Sequence, residues 1–154
     1  MKKRLLLFAI LFFGLCGCDK DNGEDVDPPG IGHFVWVNAS DHRITMTVNG
    51  QFEDEIMLPG ERISKTMIGF IALPPSPDLY VMHGIEIVFD DGPYGGVFTR
   101  PKEYPAAPYN PCNEKEYVWE DMPVENDLSH WVWTNTFTNA DYDAAVARGP
   151  MTEQ

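Results

Sequence analysis

An all-β fold, an antiparallel β-sandwich of immunoglobulin-like or Greek-key type with a short C-terminal helix, is what this 154-residue sequence predicts. Three observations predict it. Short runs rich in Val, Ile, Phe, Trp and Thr recur from His33 onward, a composition suited to a pleated, half-buried surface. Turn dipeptides punctuate those runs at Asn49-Gly50, Pro59-Gly60 and Asp91-Gly92. One helix-opening pattern, Thr138-Asn139-Ala140-Asp141, stands near the end. A small closed barrel is the alternative arrangement of the same strands.

The elements follow in order. His33 to Asn38 is apolar on both faces and reads as a central strand. Ala39 to His42 turns the chain, and Arg43 to Val48 then alternates, with Ile44, Met46 and Val48 on one side. Asn49-Gly50 closes a hairpin because both residue types tolerate positive φ. The returning strand, Phe52 to Leu58, is expected to point Phe52, Ile56 and Leu58 inward. Asp54 falls on that same face, which calls for a bulge or an edge position. Pro59-Gly60 suits a type II turn, and Glu61 to Ile68 forms a fourth strand.

Leu73-Pro74-Pro75-Ser76-Pro77 breaks regular structure and is expected to cross between sheets. Gly84 to Asp90 resumes with Ile85, Ile87 and Phe89 on one face, and Gly95 to Arg100 returns after the Asp91-Gly92-Pro93 turn. Pro101 to Pro111 holds four prolines and reads as a long loop. Glu116 to Glu120 is a short strand and Trp131 to Thr138 a longer one. The helix runs to Arg148, where Gly149-Pro150 ends it, with Tyr142 and Val146 expected to face the sheet.

Ahead of these strands stands a different kind of sequence. Lys2, Lys3 and Arg4 precede an apolar run from Leu5 to Leu15. That run is 11 residues long, short of the roughly 20 that span a bilayer as a helix. Basic start, short apolar centre and small residues make a signal peptide. Leu15, Gly17 and Cys18 stand at −3, −1 and +1 of a lipobox, the mark of bacterial lipoproteins. Cys16 does not fit as the modified residue, since Leu15 would then stand at −1 and Gly14 at −2. A two-cysteine metal or redox site at Cys16 and Cys18 fails because Cys16 lies in the removed part.

Four segments follow: residues 1–17 as signal peptide, 18–31 as lipidated Cys18 with an acidic flexible tether, 32–150 as a single sandwich domain, and 151–154 as a tail. Removing Lys2, Lys3 and Arg4 leaves eight Lys and Arg against 24 Asp and Glu, a formal charge of −16. Such a surface repels phosphate backbones, so nucleic acid is excluded as a partner. The membrane contact expected is through lipid, each buried CH₂ contributing roughly 0.8 kcal/mol.

Chemistry-bearing motifs are sparse. His33, His42, His83 and His130 fall at no ligand spacing, and Asp90-Asp91-Gly92 is first a turn signal. Asp19 to Gly30 lacks Gly at the sixth and Glu at the twelfth position of a calcium loop. Neither a Gly-x-Ser-x-Gly elbow nor a phosphate loop occurs. Cys112, the one cysteine in the domain, has no local His and reads as packing. No metal, cofactor or enzymatic activity is therefore expected, a hydrolase with paired carboxylates being the weakest alternative.

Aromatic residues carry more signal. Trp131 and Trp133 are two apart and share a strand face. Tyr104, Tyr109, Tyr117 and Trp119 gather in and after the proline-rich loop. Exposed, such rings stack on sugars or anchor a protein ligand; the ordinary alternative makes Trp131 and Trp133 core residues. The candidate ligand-binding set is Trp131, Trp133, Tyr104, Tyr109 and Trp119. A structural role through an unprotected sheet edge, with the Asp54 strand the first candidate, is the other expectation.

With these features in place, the chain resembles small lipoproteins of the Bacteroidota. The likeness rests on the lipobox at Cys18, on Val35 to Ile44, on Leu58-Pro59-Gly60-Glu61, on Val88 to Gly92, and on Thr136-Phe137-Thr138 leading into Asp141-Tyr142. It implies lipidation of Cys18 by three acyl chains and a β-sandwich, and it carries over no catalytic residue. Lys20-Asp21 and Glu24-Asp25 resemble the export signal that takes such proteins to the outside of the outer membrane. Asp19 directly after Cys18 resembles the signal for inner-membrane retention, and the periplasmic face is the alternative placement.

Overall fold

The computed structural model describes residues 30–69, 75–81, 83–99, 110–125 and 128–151. Cys18, Tyr104 and Tyr109 therefore lie outside the described residues. Eight strands form among the described ones: β1 (Ile31–Asn38), β2 (Ile44–Val48), β3 (Phe52–Met57), β4 (Arg62–Ile68), β5 (Ile85–Phe89), β6 (Gly95–Phe98), β7 (Val118–Glu125) and β8 (Leu128–Phe137). They make two four-stranded sheets, ordered β4-β1-β8-β7 and β3-β2-β5-β6. The fold is a β-sandwich. Short helices sit at α1 (Pro77–Tyr80) and α2 (Asn139–Arg148), with one 3₁₀ turn at Glu114–Glu116. No helix among the described residues is long and apolar enough to cross a membrane.

All pairings are antiparallel except one. β1 runs parallel to β8, with Ile31 beside His130 and Asn38 beside Phe137. β1 is thus central, flanked by β4 and β8, as its apolar composition predicts. Its even-numbered residues are buried and its odd-numbered ones half-buried.

The core fills the space between the sheets: Phe34 and Trp36 from β1, Ile44, Met46 and Val48 from β2, Ile85, Ile87 and Phe89 from β5, and Phe137 from β8. Trp36 meets Phe52 edge-on at 5.8 Å and Tyr80 at 5.7 Å. Its indole N–H donates to Tyr117 Oη at 3.0 Å, and that hydroxyl donates to the Pro111 carbonyl at 2.9 Å. Burial drives the Tyr117 phenol well above its ordinary pKa. Cys112 packs beside this chain, fully buried, with its thiol raised to about 11 by burial. Asn38, also fully buried, donates to the His42 and Met57 carbonyls and accepts from the Ser40 N–H and hydroxyl. One side chain thereby ties the 39–42 turn to both sheets, with its amide satisfied as burial demands.

Two inward assignments change. Asp54 takes φ 50 and the register slips between Met46 and Val48, so β3 is an edge strand with a bulge. The extra residue reverses the faces beyond it. Met57 is buried, whereas Ile56 and Leu58 are each 48 % exposed. On α2, Ala145 rather than Val146 is buried, because the inward stripe follows Tyr142 by three residues instead of four.

The open side between β3 and β4 is closed by charge. Lys65, on the inward face of its edge strand, pairs with Glu55 and lies 4.8 Å from the Phe52 ring centre. An inward lysine also discourages further strand pairing there. At the opposite side α2 covers β6, and Arg148 donates to the Gly95 carbonyl at 3.2 Å. A Cβ at Gly95 would stand 2.0 Å from the Ile87 carbonyl oxygen, so only glycine fits.

Candidate functional site

Trp119, Trp131 and Trp133 share one face. Trp119 pairs across strands with Trp133, Asp121 with Trp131, and Trp133 with the buried Phe34. Directly opposed residues of paired strands point the same way, so all three tryptophans and Asp121 lie on the inward side of the first sheet. They are nevertheless not sealed. β7 and β8 span eight and ten residues, while β5 and β6 opposite them span five and four. The longer sheet outruns the shorter one.

Trp119 is 54 % exposed, and Trp131 and Trp133 are half-buried. The Trp119 and Trp133 rings lie 6.1 Å apart at 37°. Trp133 packs on the rim of the core with its indole N–H shielded from solvent and without an acceptor among the described residues. A flat ring for CH groups, a neighbouring ring that backs it, and the Asp121 carboxylate for hydroxyls is the combination that holds an amphipathic ligand. Of the expected set, Trp119 and Trp133 touch and Trp131 shares their face.

Among the described residues β7 forms a free edge of this sheet, and all eight of its residues are exposed. Glu120, Asp121 and Glu125 charge it, and Pro123 removes one backbone donor beside the register shift after Met122.

Two clusters lack any signature in the sequence spacing. His33 Nε2 and His130 Nδ1 come within 3.1 Å on the outward face, 97 positions apart in sequence. Burial and the neighbouring His130 hold His33 below the ordinary histidine pKa. At the far end His42 stacks on Tyr142 at 3.5 Å, and its Nδ1 is 2.6 Å from Asp90. Asp90 and Asp91 both take positive φ, 54 and 53, and Gly92 N–H donates to Phe89, a mirror-image hairpin turn. The hydrogen bond from His42 is the largest cause holding the Asp90 carboxyl below its ordinary pKa. Both clusters depend on strand pairing between distant segments.

A crevice under α2, lined by Ile87, Phe98, Phe137 and Arg148 among others, has a volume of ≈ 10 Å³, about one water. Among the described residues no three His, Cys, Asp or Glu side chains converge. Comparison of the chain with protein-family models, curated proteins and solved structures finds no match.

Proposed function

We propose that the chain is a lipid-anchored cell-envelope protein whose sandwich is a non-catalytic binding module, held at the outside of the outer membrane by Cys18. It takes a glycan, or a protein ligand, on the Trp119–Trp133 face. The half-exposed Trp119 ring backed by Trp133 carries this proposal. Large aromatic side chains left partly open beside a carboxylate are costly to a soluble surface and useful to a binding one. The lipobox and the acidic tether support the placement.

Protease shaving of intact cells followed by mass spectrometry, with Cys18→Ala as control, tests the location. Release of the domain from unbroken cells is expected; protection until the envelope is broken would turn the assignment to the periplasmic face. Glycan arrays probed with the full chain and with Trp119→Ala test the face, and equal binding by both would remove it.

A second reading is favoured by the open β7 edge. An assembly protein would add a partner strand along Val118–Glu125. That edge, not the bulged Asp54 strand, is the place for it. Its acids and Pro123 count against pairing, which ranks it second.

A further inference from the structure

On the outward face of the first sheet, opposite the tryptophans, three side chains form a line across three strands. His33 stands on β1, His130 one pairing step away on β8, and Thr66 beside His33 on β4. His33 Nε2 and His130 Nδ1 are 3.1 Å apart, with the rings 11° from parallel and their centres 5.4 Å apart. The rings therefore meet nitrogen to nitrogen through one proton, since a donating imidazole nitrogen needs a partner with a free lone pair. His33 Nδ1 lies 3.2 Å from Thr66 Oγ1.

We propose that His33 Nε2 and His130 Nδ1 chelate a borderline divalent transition-metal ion such as Zn²⁺, Ni²⁺ or Cu²⁺, with Thr66 as the positioning residue for His33. The nitrogen separation of 3.1 Å is that of neighbouring ligands around an ion bonded at roughly 2.0–2.1 Å. Imidazole suits these metals. Metal-ligating histidines commonly anchor their other ring nitrogen, and Thr66 occupies that place for His33. Both rings are half-buried, which restricts their rotamers while keeping them reachable. The net charge of −13 raises the local concentration of cations.

On binding, the ion takes the lone pairs of the two facing nitrogens, and the proton that lay between them passes through water to the outer nitrogen that lacked one. His33 then carries its proton on Nδ1, donated to Thr66, and His130 carries one on Nε2, so both rings are neutral and no net proton is released. With no third His, Cys, Asp or Glu converging among the described residues, the remaining positions go to water or to a donor from a partner.

Titration calorimetry of the full chain in detergent with Ni²⁺ or Zn²⁺ tests this. One site per chain is expected, weakened at least tenfold by His33→Ala or His130→Ala, on the order of tenfold by Thr66→Val, and unchanged by His83→Ala. The three side chains point outward, and circular dichroism confirms that each variant is folded. Electron paramagnetic resonance of the Cu²⁺-loaded wild type gives an independent count, two imidazole nitrogens. No binding at millimolar metal, binding that survives both histidine variants, loss in His83→Ala, or a different nitrogen count would each overturn the proposal.

Discussion

Trp36 and Trp119 sit in the same sheet, both on its inward face, and live in different worlds. Trp36 is fully buried against Phe52 of the other sheet and Tyr80 of α1, and Tyr117 satisfies its N–H. Trp119 is more than half exposed on an edge strand, resting on a Trp133 whose N–H has no acceptor among the described residues. Facing inward does not make a residue core; what decides is whether another strand lies opposite. The difference separates a residue kept for stability from one free to serve binding.

Substitution of the two rings is the strongest way to break that contrast. Trp36→Ala should cost about 3–5 kcal/mol, the range for emptying a packed aromatic site, read as a fall in the urea midpoint. Trp119→Ala should stay within about 0.5 kcal/mol, as surface changes do, while abolishing ligand capture. Equal losses in the two variants would erase the distinction.

Tyr117→Phe sharpens it. The ring stays, but the Trp36 N–H and the Pro111 carbonyl lose their partner. About 1–3 kcal/mol should go, with a shift in Trp36 fluorescence as the indole finds itself unpaired. An unchanged midpoint would mean that packing alone holds the centre.

The smallest effect belongs to the exposed His42–Asp90 pair. Asp90 has a lowered folded-state pKa, so its contribution is present above the ordinary carboxylate range and is lost as pH falls through the folded value. Because the carboxylate side chain is 49 % exposed, screening limits this to under about 1 kcal/mol. Asp90→Asn, which tolerates the same positive φ, should flatten the fall in stability as pH drops below the ordinary carboxylate value of about 4. A wild-type slope retained in the variant would assign the acid sensitivity to other carboxylates.

Local patterns made much of this legible in the sequence. Alternation located the inward residues of β2 and β5, the capping-box sequence located α2, and Asp54 on an apolar face announced a bulge. What lay beyond the bulge was not legible, because one inserted residue exchanges the faces of Ile56 and Met57. The length of β7 escaped for a related reason: every residue in it is exposed, so no alternation marks its extent. Asn126-Asp127, between β7 and β8, is the turn signal that would have joined the two into a hairpin. That Trp131 and Trp133 share a face follows from spacing alone, but their exposure depends on how far the opposite sheet reaches. The His33–His130 contact depends on a parallel pairing of strands about a hundred residues apart, for which neither segment carries a local sign.

That same parallel pairing has a consequence in time. Strand β1 has a neighbour, β8, that is made about a hundred residues later. Closing so long a loop carries an entropic cost that local contacts cannot offset beforehand. The first sheet therefore stays incomplete until residue 137 is available. The proposed export across a membrane as an extended thread would gain from this delay, since the leading strand could not be trapped early in a finished sheet. A chain truncated before Leu128 should remain protease-sensitive throughout, and a protected fragment from it would show that the N-terminal strands assemble without their late partner.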